Sequence, residues 1–261
     1  MPLTRRLTLI AAALPAAALL LPRPTAAAGL LAALKSGSKT LIVGTDATFP
    51  PFEQTSTGGV KSGFDLDLVN AVAETIGIKK VEFRQVPFGQ LIPGLVANHI
   101  DLAASAIYIT PVRAKVVNFT EPYFSGGLSV MIKPNDHSIT KPADLAGKRL
   151  SVQVGTKSVD FLAKQYPASE LVIVQTNDQM FQALQSGRAD AVVTGYPAAR
   201  YYIKTHGGAK LAGFLLTHEE YGMALRKKNR ALLAAINDAL DQLAKGGKKA
   251  ELERHWFGSA S

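Results

Sequence analysis

The sequence predicts an α/β protein of two lobes, each a largely parallel sheet with helical faces. Three observations carry this. Short apolar runs alternate with segments of helical period twice along the chain, the pattern of strands joined by crossover helices. A β-prone stretch at residues 119–132, interrupted by Ser125-Gly126-Gly127, separates the two sets. One further strand and helix return near the carboxyl terminus. A length of 261 residues at 47% hydrophobic and 19% charged fits one large barrel or two lobes, and the interrupted alternation decides for two lobes with a cleft between them.

The first 28 residues stand apart. Arg5 and Arg6 precede an uncharged run at 7–21, followed by Pro22, Pro24 and Ala26-Ala27-Ala28, the order of a secretory signal peptide. The run is shorter than the roughly 20 residues of a membrane-spanning helix. Sec and twin-arginine export both stay open. Three arginines and no acids leave with this segment, so the formal charge falls from +9 to +6. The remaining basic residues are scattered without the aromatic interleaving that stacks bases, and no nucleic-acid partner is expected. The absence of cysteine excludes disulfides, thiolate metal sites, cysteine nucleophiles and a lipid-anchored N-terminal cysteine. The expected location is therefore the periplasm, as a free protein. The histidines (His99, His137, His206, His218, His255) lack metal-ligand spacing, so neither metal nor cofactor is expected.

In the first lobe, residues 41–45 form an apolar run that stops at Asp46, and Phe49-Pro50-Pro51-Phe52 cannot continue a central strand. A buried strand thus ends in a rigid aromatic loop. From Gly63 the period becomes helical: Leu66, Val69, Val72, Ala73 and Ile76 share a face, Asp65 and Asp67 sit in the first turn, and Gly77 closes the helix. Residues 81–86 read as a strand, 91–98 as a helix entered through Pro87-Phe88-Gly89, and 100–104 as a third strand. Thr110-Pro111 signals a helix start and puts Arg113 in its first turn. In the second lobe, strands at 150–154, 171–174 and 191–194 alternate with helices at 158–165, 179–186 and 197–205. Residues 221–226 read as a strand, and 231–245 as an amphipathic helix ended by Gly246-Gly247. If these close the first lobe, it comprises 38–124 and 220–258, the second comprises 125–219, and the chain crosses twice. Paired crossings suit hinge closure, with Gly126-Gly127 as a hinge.

Five blocks also carry a family pattern: Val43-Gly44-Thr45-Asp46-Ala47-Thr48-Phe49-Pro50-Pro51-Phe52, Gly63-Phe64-Asp65-Leu66-Asp67-Leu68, Ile107-Tyr108-Ile109-Thr110-Pro111-Val112-Arg113, Phe119-Thr120-Glu121-Pro122-Tyr123-Phe124 and Arg188-Ala189-Asp190-Ala191. In this order, over residues 40–257, the chain resembles the bacterial solute-binding proteins of polar amino-acid ABC importers, the family of the glutamine-, histidine- and lysine/arginine/ornithine-binding proteins. The resemblance implies a type II periplasmic-binding-protein fold, two Rossmann-like lobes joined by two hinge strands. It implies a monomer that holds a polar amino acid or derivative in the cleft and hands it to ABC permease membrane subunits. It places Arg113 on the ligand α-carboxylate, helped by the Thr156 backbone N–H, with Phe49, Phe52 and Phe88 around the ligand side chain. Asp46, Ala106, Gln153 and Tyr196 complete the implied site. The residues alone leave other readings open: a surface ion pair for Arg113, core packing for the phenylalanines, and loop capping for Asp46. Asp65 and Asp67 read as structural, matched to the helix dipole.

Two positions depart from the family pattern and also belong to the expected site. Tyr108 stands where the family usually has a small hydroxyl residue, and Gly195 where it usually has an aspartate paired with the ligand ammonium. These departures point to a derivative such as an ectoine, betaine or opine, unless Glu53 or Asp160 restores the missing charge. Cyclohexadienyl dehydratases use the same fold for catalysis, but no nucleophile elbow or phosphate-cradling loop supports an enzyme here.

Overall fold

The computed structural model describes residues 29–258, so the expected signal peptide lies outside them. Its frame is two five-stranded sheets. In the first, Val81–Gln85, Leu41–Thr45 and Leu102–Ala103 run parallel, Ala224–Arg226 lies antiparallel beside them, and Val117–Phe119 forms the edge. In the second, Glu170–Val174, Arg149–Gln153 and Ala191–Gly195 run parallel, Leu128–Ile132 lies antiparallel beside them, and Lys210–Leu215 forms the edge. The two sheets share one strand order, with the strand that enters from the other half always in fourth place. They define lobe 1 and lobe 2.

Leu128–Ile132 and Ala191–Gly195 are buried along their whole length, as expected for central strands covered on both faces. Each fully buried Val, Leu or Ile there contributes about 1.5–3 kcal/mol. Among the described residues, no helix is long and apolar enough to cross a membrane.

The helix Phe64–Ile76 shows how lobe 1 builds its rim. Its first N–H groups bond the aromatic loop, Phe64 to the Pro51 carbonyl and Asp65 to the Phe52 carbonyl. Gly63 has a φ of +143°, and a Cβ there would sit 2.2 Å from the Phe52 carbonyl oxygen, so only glycine fits. Gly77 ends the helix in the left-handed conformation, donating to the Ala73 and Glu74 carbonyls.

The fold corrects one expectation, the single strand at 221–226, and adds detail to two others. The β-prone stretch at residues 119–132 holds strands of three different sheets, Val117–Phe119, Phe124–Gly126 and Leu128–Ile132. Likewise residues 221–226 divide into Glu219–Tyr221, paired with Phe124–Gly126 in the crossing ribbon, and Ala224–Arg226 in lobe 1. Neither Gly126 nor Gly127, the expected hinge, has a positive φ. They let the two crossing strands touch: a Cβ on Gly127 would lie 2.0 Å from the Thr217 carbonyl oxygen, and one on Gly126 would lie 2.8 Å from the Tyr221 ring.

Some elements carry no clear sequence signal. A meander of Thr48–Phe49, Glu53–Thr55 and Lys61–Ser62 shapes the aromatic loop. A last helix, Lys248–Phe257, follows Gly247, and its Trp256 indole donates to Asp67 Oδ2 at 2.8 Å. The returning strand is pinned by a buried ion pair, Arg226 Nη2 to Asp101 Oδ1 at 2.8 Å, with Arg226 Nη1 donating to the Ile100 carbonyl at 2.5 Å.

Candidate functional site

Open α/β sheets bind ligands outside the carboxyl ends of their strands. Here those ends face each other across about 460 Å³ of empty space, part of it open to solvent. Lobe 1 lines it with Phe49, Phe88, Ala106, Tyr108 and Arg113, and lobe 2 with Gln153, Thr156, Asn177 and Gly195 among others. Tyr221 joins from the crossing ribbon.

Arg113 is placed by the short helix Pro111–Ala114, whose N-cap Thr110 accepts from the Arg113 N–H. Its guanidinium bonds a carbonyl of each lobe, Nη1 to Tyr108 at 2.8 Å and Nη2 to Gly155 at 3.1 Å. It also lies 5.5 Å from the centroid of the Phe88 ring. Among the described residues Arg113 forms no ion pair, and burial lowers its pKa by disfavouring the charge. The surface ion-pair alternative therefore does not apply. Beside it, Thr156 caps the helix Lys157–Gln165, and its N–H, expected on the ligand carboxylate, donates here to the Gln153 carbonyl at 3.4 Å. The Thr156 hydroxyl is already spent on the Gln153 carbonyl at 2.7 Å.

Three expected site residues do not line the cleft. Phe52 is fully buried: Phe49 stacks over it at 5.8 Å between centroids and Tyr221 packs against it at 5.1 Å, so Phe49 faces the cleft while Phe52 belongs to the core. Asp46 is turned inward, its Oδ2 accepting from Gln153 Nε2 at 2.7 Å and Thr48 Oγ1 at 2.8 Å. Burial raises its pKa, and those two bonds hold it back. Asp46 thus acts by fixing Gln153 across the lobe boundary. Tyr196 packs against the Arg200 guanidinium, 5.8 Å from the ring centroid, outside the lining.

Gly195 sits where three rings converge. A Cβ there would come within 2.9 Å of Tyr221 Oη, 3.2 Å of the Phe49 ring and 3.3 Å of Tyr108 Oη. Tyr221 Oη donates to Tyr108 Oη at 3.2 Å, and burial pushes both phenols up in pKa.

Beneath the lining lies a sealed acidic network. Glu53 Oε1 accepts from Ser105 Oγ at 2.8 Å, and Ser105 Oγ accepts from the Asp46 N–H at 3.0 Å. Asp65 Oδ2 accepts from the Ala106 N–H at 2.7 Å and Tyr123 Oη at 2.9 Å. The Ala106 bond supports a left-handed φ of +45°, an unfavourable conformation for a residue with a Cβ. Burial pushes Asp65 up to about 7, and burial together with the charge of Asp65 raises Glu53 well above its ordinary range. Asp65 is structural as expected, but through this bond rather than the helix dipole alone. Glu53 is fully buried and Asp160 exposed, and neither lines the cleft to restore a charge there.

Sequence reasoning missed Leu128, Lys157, Ser158, Asn177, Met180, Val193, Thr194 and Tyr221 in the lining. Lys157 and Ser158 directly follow Thr156 at a helix start, which was a usable signal. Asn177 opens a helix of its own, and Tyr221 reaches the cleft only through the crossing ribbon.

Against this geometry stand the comparisons with known proteins. The family model of bacterial extracellular solute-binding proteins, family 3, matches residues 41–259. The L-cystine-binding protein TcyJ of Escherichia coli K12 is 29% identical over 88% of this chain and 87% of its own. A mutant of the arginine-binding protein ArgBP from T. maritima superposes with a TM-score of 0.81 at 35% identity, covering 86% of this chain and 97% of that one. An ancestral amino acid-binding protein described as a precursor of cyclohexadienyl dehydratase gives 0.78 at 36% identity, covering 85% of this chain and 96% of its own.

Proposed function

We propose, from the premise that this chain belongs to the bacterial extracellular solute-binding proteins of family 3, that it is the periplasmic substrate-binding component of an ABC importer. It captures a polar amino acid or amino-acid derivative between its lobes and delivers it, as a monomer, to the membrane permease. The observation that carries this is Arg113, a cation on the cleft wall that holds a carbonyl of each lobe and has no carboxylate partner among the described residues. A ligand carboxylate supplies that partner through charge-assisted bonds and locks the lobes together in the same step. Residues 38–124 with 220–258 and residues 125–219 move as the two bodies of this closure, about the ribbon of Phe124–Gly126 and Glu219–Tyr221.

The reading is capture without turnover, and ligand recovered unchanged from prolonged incubation, followed by NMR, tests that part. Calorimetry on Arg113→Ala tests the site. Truncating one partner of a desolvated charge pair costs about 2–5 kcal/mol, so carboxylate binding is expected to vanish from a folded variant. Affinity retained within about threefold overturns the assignment.

A further inference from the structure

The cleft lining is lopsided in charge. Of its sixteen residues, Arg113 and Lys157 are cationic and none is an aspartate or glutamate. No acid belongs to the lining, although Asp160 and Glu219 lie close enough to act on the Arg113 charge. Asp46 is held by Gln153 and Thr48, Glu53 and Asp65 are sealed beneath the lining, and Asp160 is exposed on its helix. Glu219 is ion-paired with Lys157. That pair offsets one cation, leaving Arg113 as the lining cation without an ion pair among the described residues.

The Gly195 corner adds a second observation. Tyr108 and Tyr221 keep both phenol protons, since burial raises the pKa of each, yet their mutual bond uses only one. One O–H is left to donate toward the cavity. A lining with a cation and a spare donor, but no anion, complements a ligand with a negative charge and an acceptor oxygen. A primary ammonium enclosed there meets no carboxylate in the lining, and an unpaired buried charge is strongly disfavoured.

We infer that the cleft selects carboxylates without an ammonium group, namely 2-oxo acids, 2-hydroxy acids and N-acylated amino acids, whose acceptor oxygen meets the Tyr108–Tyr221 pair while the carboxylate meets Arg113. This deepens the receptor reading and rests on it.

Calorimetry on the wild-type protein tests it with matched probes: L-glutamine, L-arginine and L-phenylalanine, each against its 2-oxo, 2-hydroxy and N-acetyl counterpart, with glycine betaine as a diffuse cation. At least one ammonium-free member is expected to bind tenfold or more tightly than its parent. A parent that binds as tightly as its counterparts in every series, or betaine as the tightest probe, overturns the inference and leaves the receptor reading standing. If no carboxylate binds, the receptor reading falls and takes the inference with it. Gly195→Asp with Tyr221→Phe supplies a second measurement, because the phenylalanine removes the oxygen that a Cβ at Gly195 would meet. The installed carboxylate is expected to move preference at least tenfold toward the parent amino acids, and an unchanged preference counts against the role given to this corner.

Discussion

Asp101 in lobe 1 and Asp190 in lobe 2 occupy matching places, each just before the third parallel strand of its sheet. Each donates its N–H to the carbonyl of the neighbouring first strand and accepts that strand's N–H on its carboxylate, Ile42 for Asp101 and Arg149 for Asp190. Their arginines differ. Asp190 pairs with Arg149 on the adjacent strand at the surface, whereas Asp101 pairs with a buried Arg226 that lies 125 residues along the chain. The same difference runs through both lobes. The buried polar residues of lobe 2 are all neutral: Ser129, Ser151, Gln153, Ser158, Asn177 and Thr194. Lobe 1 buries Asp46, Glu53, Asp65, Asp101 and Arg226. One architecture thus has two electrostatic interiors, and the charged one is the lobe assembled from two separate chain segments.

Breaking the distant pair is the severest test of this contrast. Arg226→Ala leaves Asp101 buried without its partner, and losses of about 3–5 kcal/mol are typical of such truncations. The expected result is a large fall in Tm by calorimetry; a change below about 1 kcal/mol would show that water relieves Asp101.

The sealed acids come next. Asp65 and Glu53 have folded pKa values above their unfolded ones, so the native state holds their protons more tightly. The Asp65 contribution is fully present below 3.8 and is lost as pH rises through about 7, and that of Glu53 is present below 4.5 and lost as pH rises well above it. Asp190 has the opposite sign, its pKa lowered first by the Arg149 bond, and its contribution is lost only as pH falls. Glu53→Gln keeps an acceptor for Ser105 and removes one acid, so urea melts from pH 4.5 to 8 should show a shallower decline than wild type. Identical slopes in the two proteins would mean that the pair does not share its protonation in this way.

Arg149→Ala is the mildest change. The pair is half-exposed and bidentate, so the variant is expected to show a small fall in Tm, well short of that for Arg226→Ala. A Tm loss rivalling that of Arg226→Ala would erase the distinction between the lobes.

Much of this fold was legible because the helix Phe64–Ile76 and the strand Leu41–Thr45 obey local rules of period, cap and glycine stop. The family was legible for the same reason, in blocks that stay contiguous in sequence. Illegible were features decided at a distance. Nothing local separates Phe49 from Phe52: the loop lays one ring over the other, and only the packing of Tyr221 and Phe257 on Phe52 shows which is core. Residues 221–226 look like one strand because both halves are apolar, and the break at Gly222 follows from its approach to Ile109, where a Cβ would lie within 2.9 Å. Asp46 was expected at the ligand because the family resemblance places it there, but Gln153, 107 positions away, bonds its carboxylate.

The Arg226–Asp101 pair bears on the order in which the protein can assemble. Every strand of lobe 2 lies between Leu128 and Leu215, so its sheet can close as soon as that stretch is available. Lobe 1 has strands from Leu41 onward but lacks its fourth strand until Ala224–Arg226 arrives, and until then Asp101 has no guanidinium. The half made first is therefore finished last, its contacts spanning the longest sequence separations and carrying the slow, loop-closing part of folding. A chain ending before residue 224 would keep all five strands of lobe 2 and leave lobe 1 with an open seam beside Leu102–Ala103.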